Sequence, residues 1–411
     1  MRQFHSLALA GLLTATVAAS PALANPFTPY TLLTTIAIPS AGDTINPNPG
    51  GAFTAFDISF FDPSARRDYV ADRSNAAVDV FAGNMFLGRV PGFAGQQATT
   101  SASGPDGVLT VNQGSQHQLW AGDAGSLLRS YNISSPGLPP PVLFSPINTG
   151  GHFRVDEMSY SPSANLVLVA NNADTPAFGT LVNASNGAIV HGHIVIPGDA
   201  TGGLEQSVWN PATNSFFISV PQFGTTGPGG VAEIKTDGTV GRVYNFSNFG
   251  ISSCSPTGLA LGKSGNLMVG CGNTSTQTIV LDPAGTGSLV KTFSQISGSD
   301  EIWYDPTTGN FYVTGVNSAG GRVFDIINDL SQAILQSVSL PDVNAHSIAV
   351  DPGNGFAYVP LEGSTAAAPN ALCPLGCVAV YGVAEPGSLP LLIAGMTAIV
   401  GLTLRRRSRL E

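Results

Sequence analysis

Carboxylates recur along this chain at nearly even intervals, each at the head of a short apolar run. Asp57, Asp156, Glu205 and Asp300 open four such runs, Gly107 with Asp106 beside it opens a fifth, and Thr257 and His346 open two more. Steps between these positions run from 43 to 52 residues. One residue further on stands a second column, in which Glu157, Gln206 and Glu301 are the polar members. Charged residues make up only 10% of the chain, so five acids in or beside seven equivalent positions exceed chance placement. Carboxylates brought close together repel and lose hydration; they then keep a proton at a raised pKa or hold a cation. An oxygen-rich set made of Asp57, Asp156, Glu157, Glu205 and Asp300 suits Ca²⁺ or another divalent cation such as Mg²⁺. His346 would serve as a ligand or a general base, and Glu301 is a second candidate base. The same residues can also act architecturally, by accepting hydrogen bonds from backbone N–H groups of neighbouring strands. His117, His191 and His193 fall in strands or loops away from these positions, and His152 stands just before Asp156.

The runs themselves indicate the elements that must carry these side chains. Each starts at a polar residue, continues as a short apolar strand, turns at a sequence that is often Asp/Asn-Pro, and returns as a second strand. Asp57-Ile-Ser-Phe-Phe-Asp62-Pro63 leads to Tyr69-Val70, and Glu205-Gln-Ser-Val-Trp209-Asn210-Pro211 leads to Phe217-Ile218. Asp300-Glu-Ile-Trp303-Tyr-Asp305-Pro306 and His346-Ser-Ile-Ala-Val-Asp351-Pro352 repeat the design. A third strand such as Ala77–Phe81 and a fourth such as Met85–Val90 complete the unit. Four short strands in a period of about 40–50 residues is the spacing of propeller blades. The chain is therefore expected to be all-β, a seven-bladed β-propeller over residues 30–384. Trp209 and Trp303 read as equivalent positions in inter-blade packing rather than as a stacking platform.

The last unit ends at a third strand, Cys377-Val-Ala-Val-Tyr381, whereas Tyr30 to Pro39 reads as a fourth strand with no unit of its own. Pairing these two would close the ring and remove the open edge. Four cysteines lie in the C-terminal half, and in an oxidising compartment they are expected to pair as Cys254–Cys271 and Cys373–Cys377. No spacing points to zinc. Gly227-Pro-Gly-Gly230 lacks the Lys and Ser/Thr of a phosphate loop, and no Gly-x-Ser-x-Gly elbow occurs.

Both ends read as targeting segments. Arg2, the apolar stretch Leu7–Ala19 and Ala22-Leu23-Ala24 form a secretory signal over residues 1–24. At the other end, Glu385-Pro386 precede an apolar run, Leu389–Leu404, and then Arg405, Arg406, Arg407 and Arg409. That run is near the lower length limit for a transmembrane helix, and arginines behind it would keep the tail cytoplasmic. The formal charge of the whole chain is −10, and without the two end segments 11 basic residues face 24 acidic ones, a net −13. Such a body repels phosphate backbones, so nucleic acid is not an expected partner, and cations are.

Tyr69-Val70-Ala71-Asp72-Arg73-Ser74-Asn75, followed by Ala77-Val78-Asp79-Val80, resembles the repeat of YVTN-type seven-bladed propellers, within the gluconolactonase-like and quinoprotein-like propeller superfamily. Leu168-Val169-Ala170-Asn171-Asn172 and Tyr312-Val313-Thr314-Gly315 echo the same position. The resemblance implies architecture; relatives include surface proteins, ligand binders and enzymes. The C-terminal order of motif, apolar span and arginines resembles the PEP-CTERM signal processed by exosortases in Gram-negative bacteria, with Ala384 where the motif has its first proline. A plain single-span anchor is the other reading of residues 385–411. Exosortase machinery would be a partner, the membrane a transient tether, and the cell surface or extracellular matrix the destination. Two functions follow as expectations: a surface propeller binding a polysaccharide, protein or small molecule, or a divalent-metal-dependent hydrolase of the lactonase type. In the second, Glu157, Glu205 and Asp300 would hold metal, with His346 or Glu301 as base. A redox cofactor would need axial ligands that the sequence does not offer.

Overall fold

The computed structural model of the chain describes residues 27–114, 116–272 and 277–383. The expected secretory signal and the expected C-terminal tail lie outside the described residues, within which no helix is long and apolar enough to cross a membrane.

Short apolar strands with alternating burial, broken by Gly- and Asn-rich turns, give antiparallel meanders. Seven of them form. The first runs through Phe56–Asp62, Arg67–Asp72, Ala77–Ala82 and Met85–Pro91, each strand bonded to the next. The turn after the inner strand has one mechanism in four blades. The side chain of Asp62, Asn210, Asp305 or Asp351 accepts a hydrogen bond from the N–H two residues on, at 2.8–2.9 Å. Asp and Asn are suited to this because their short side chains mimic a backbone turn.

Every sheet is covered on both faces by its neighbours, which explains the strand compositions. All six residues of Leu166–Asn171 are buried, whereas the outer strand Ile189–Val195 of the same blade is mostly exposed. Apolar clusters span blade boundaries: Ile58, Tyr69, Val78 and Val80 of the first blade pack with Val108, Leu119 and Tyr131 of the second. The core is thus a ring of inter-blade layers rather than one central mass.

The ring closes as the sequence implies. Tyr30–Ala37 pairs antiparallel with Cys377–Val383, with Ile36 opposite Val378, and becomes the outer strand of the seventh blade. Tyr30 also ties the closing strand to the sixth blade, its hydroxyl lying 2.8 Å from that of Tyr312.

Both expected disulfides are present, Cys254–Cys271 across the fifth blade and Cys373–Cys377 ahead of the closing pair. The first spans 17 residues, and a cross-link over that length removes unfolded-state entropy equivalent to about 3 kcal/mol. Cys254→Ser with Cys271→Ser is therefore expected to lower unfolding free energy by about 2–3 kcal/mol in denaturant titration. Unchanged stability would show that the bridge contributes nothing beyond the packing of the buried sulfurs.

Two equivalences expected from the sequence need correction. The second blade carries its entrance residue at Asp106, not Gly107: Asp106 N–H donates to Gly122 O as Asp156 N–H donates to Ala170 O. The turn misleads because the Val108–Gln113/Gln116–Asp123 hairpin extends further than its counterparts, with Gln113 opposite Gln116. Trp209 and Trp303 are not equivalent. Trp209 faces Phe216 as Tyr304 faces Phe311, so the counterpart of Trp303 is Val208.

Candidate functional site

The inner strands converge on the channel, and their entrance residues ring one end of it. A cavity of about 340 Å³ opens there, lined among others by Asp57, Arg73, Arg154, Asp300, Arg322 and His346. The seven-fold repeat brings together residues from positions 55 to 362 of the chain.

Two arginines, not anticipated from the acidic pattern, organise this mouth. Arg73 is buried and braces the first two blades: its guanidinium pairs with Asp57 at 2.6 Å, and its Nε donates to Asp106 at 2.6 Å. Arg154 pairs with Asp156 at 2.7 Å and stands 3.7 Å from Asp106. Asn172 of the third blade donates to Glu205 of the fourth at 2.7 Å. Much of the carboxylate ring is therefore held by internal partners that staple one blade to the next. These partners also recur in register. Arg73, Asn172 and Glu362 each directly follow a blade's second strand, and Arg154 and Asn344 each stand two residues before an entrance position. Those two columns are present in the sequence, but a pattern built on acids and histidines alone passes over them.

Three of the expected residues meet in the remaining space. His346 Nε2 lies 3.9 Å from Asp57 and 4.0 Å from Asp300, and one ligand atom from each of the three falls within 4.8 Å of the others. The imidazole stacks on Phe56 with ring centroids 4.3 Å apart, which fixes its plane. Asp300 keeps 35% of its side chain exposed, against 7% for Asp57 and 12% for His346. Asp156 and Glu205 share the rim but are occupied by Arg154 and Asn172. Glu157 and Glu301 lie one residue deeper and line a different cavity. Two other histidines are accounted for locally: at the far end of the inner strands His117 pairs with Asp62 at 2.9 Å, and beside the rim His152 lies 3.3 Å from Asp174.

Burial and charge push these groups in opposite directions. Burial tends to raise Asp57, but Arg73, then Arg154 and His346, outweigh it and hold its carboxyl below the ordinary value. Burial raises Asp156 to about 7, even against Arg154. Burial also raises Glu157, Glu205 and Glu301 well above the glutamate range, the neighbouring acids adding to the rise at Glu157 and Glu205. His346 is lowered by burial, which Asp300 and Asp57 only partly offset, so the ring is a neutral base near pH 7.

These shifts set a pH dependence of unusual sign. Asp156 titrates near 7 when folded and near its ordinary 3.8 when unfolded. Between those values the folded protein holds the extra proton, so stability falls as pH rises from about 4 to about 7. Glu157, Glu205 and Glu301 act in the same sense, because their folded values are also raised. Asp57 opposes them only below its unfolded value, whereas His346, its folded value lowered by burial, opposes them by adding stability as pH rises toward its ordinary 6.5. The raised group is larger, and urea unfolding is expected to show a higher midpoint at pH 5 than at pH 8. A midpoint that is flat or higher at pH 8 would mean that the buried acids are ionised and fully paired.

No family model matches the chain, and no curated protein matches it at a meaningful level. Solved structures do. The WD40 β-propeller domain of Doa1 superposes with a TM-score of 0.58 at 14% identity, covering 87% of this chain and 98% of that domain. The likeness is one of fold. It extends to the blade plan and ring, and at this identity it carries no residue of the mouth.

Proposed function

We propose that the chain is an exported surface or extracellular-matrix-associated propeller that binds a small polar ligand through its channel mouth. The observation carrying this reading is the mixed lining of the mouth cavity. Once Arg73 and Arg154 have neutralised much of the carboxylate ring, Asp300, Arg322, Asn344, His346 and Glu362 present both donors and acceptors toward one space of about 340 Å³. Convergent polar groups of both kinds in a preformed cavity suit a hydroxyl-rich molecule such as a sugar or sugar acid. Export rests on residues 1–24 and on the motif, apolar run and arginines of residues 385–411. Titration calorimetry against mono- and oligosaccharides and their aldonic acids is the test. Binding is expected, weakened about tenfold or more by Arg322→Ala, through loss of charge-assisted hydrogen bonds worth roughly 1.5–3 kcal/mol. Absence of binding across the panel would remove this reading.

A second reading, a divalent-metal-dependent hydrolase of the lactonase type, is favoured by the approach of Asp57, Asp300 and His346. Two carboxylates and an imidazole suit Mn²⁺ or Zn²⁺ better than Ca²⁺, which prefers oxygen alone. Arg73 already holds one oxygen of Asp57, which limits the charge available to a cation. A metal held by Asp57, Asp300 and His346 would polarise a lactone carbonyl toward attack by water. Metal-dependent aldonolactone turnover abolished by Asp300→Asn is expected on this reading. Calorimetry with Mn²⁺, Zn²⁺ and Ca²⁺ showing no uptake would exclude it.

A further inference from the structure

A second cavity of about 490 Å³ follows the inner strands from their second residues to the turns beyond, through the stretches Glu157–Pro162, Gln206–Trp209 and Glu301–Pro306. Its chemistry differs from that of the mouth. Among the described residues neither Lys nor Arg lines it; its walls are apolar and aromatic, with Phe60, Tyr160, Trp209, Trp303 and Tyr304 among them. Three polar side chains from the second column enter this channel. Two of them are engaged by the wall. Gln206 Oε1 accepts from Ile302 N–H at 2.9 Å and from Leu259 N–H, while its Nε2 donates to Ile302 O at 3.2 Å. Glu301 accepts from Ser59 N–H at 3.3 Å, Ser59 Oγ at 3.4 Å and the Ser347 hydroxyl.

Glu157 is different. It occupies the same position one blade before Gln206, is 3% exposed, and has no hydrogen-bond partner for its carboxyl among the described residues. The inner-strand N–H of Leu259, which it would reach by analogy, is already taken by Gln206. Its oxygens are not sealed inside the protein but open onto the cavity, where a carboxyl largely withdrawn from bulk water favours a positively charged partner. Aromatic walls, one unpartnered acid and no competing cation are the elements of an ammonium site: the rings attract the positive charge through their faces, and the acid receives its N–H groups.

The geometry points to this cavity as a binding site for a small organic cation, a protonated amine carrying an aromatic or apolar body, with Glu157 as the group that receives the ammonium. The site is separate from the mouth and stands whether or not the mouth binds a polar ligand.

The test is calorimetry on the full exported chain with phenethylammonium as probe, phenethyl alcohol as its neutral counterpart and 3-phenylpropionate as its anionic one. Expected results are binding of the amine at least about tenfold tighter than the alcohol, and no binding of the anion. Glu157→Gln, which is close to isosteric and relieves a buried acid, should keep the fold and weaken the amine about tenfold or more. Equal affinity for amine and alcohol, or retained affinity in Glu157→Gln, would each overturn the assignment; so would absence of amine binding at millimolar concentration.

Discussion

Replacing Ile36 with Asp is expected to cost roughly 4 kcal/mol or more and to open the ring at one place. Ile36 is 4% exposed and lies opposite Val378 in the ladder that closes the seventh blade. The substitution removes a buried side chain worth about 1.5–3 kcal/mol and places an unpaired charge in an apolar layer. Because this ladder joins the chain's N-terminal stretch to its last strand, the damage should be local before it is global. Hydrogen exchange should lose protection first in Tyr30–Ala37 and Cys377–Val383, while the central blades remain protected. A peptide spanning residues 27–40, added to a chain that starts after Pro39, should pair with the vacant edge and raise the melting temperature. Uniform loss of protection throughout the ring would show that the blades unfold as one unit and that closure has no separate energy.

The second large effect concerns the mouth. Arg73→Met is expected to destabilise the protein by about 3–5 kcal/mol, because it leaves Asp57 and Asp106 buried without their principal counter-charge. Arg154 remains near Asp106, but at 3.7 Å it cannot replace both interactions. The cost should depend on pH in a way that packing loss would not. Burial already biases Asp106 toward its protonated form, so the penalty should shrink at pH 5 and grow at pH 8. Arg73→Met combined with Asp106→Asn should recover part of the loss. Urea titrations at both pH values check this, and an equal penalty at each would mean that Arg73 acts through packing and not through charge. The ligand-binding reading gives the same residue a second consequence. If the mouth binds a polar ligand, removing the brace should weaken that binding by letting Asp57 shift out of place.

How far the sequence reaches can be judged from particular residues. Blade number, ring closure by Tyr30–Ala37 and both disulfides are readable in it, because each depends on patterns local to a blade: apolar alternation, Asp/Asn-Pro turns, a strand without its own unit, and cysteines at strand ends. Those signals arise within tens of residues and repeat, so errors in one copy are corrected by the others. The misplacement of Gly107 shows the limit even there, since one longer hairpin shifts any alignment anchored on its turn. The gathering of Asp57, Asp300 and His346 is also readable, because equivalent positions in a closed ring must converge on its axis.

What the sequence determined by itself, then, is which side chains stand at the head of each inner strand, since register within a blade is set by alternation and turn chemistry. Only the tertiary structure decided what each of those side chains meets. Arg73 reaches from the first blade into the second, Asn172 from the third to the fourth, and Gln206 to two backbone N–H groups in later blades. Such reaches depend on the angle and spacing between sheets, which are fixed by inter-blade packing and leave no periodic trace in the chain. For the same reason Glu157 and Glu301, indistinguishable in sequence, have different fates: one is bound by two serines, and the other faces an aromatic cavity with its carboxyl unpaired.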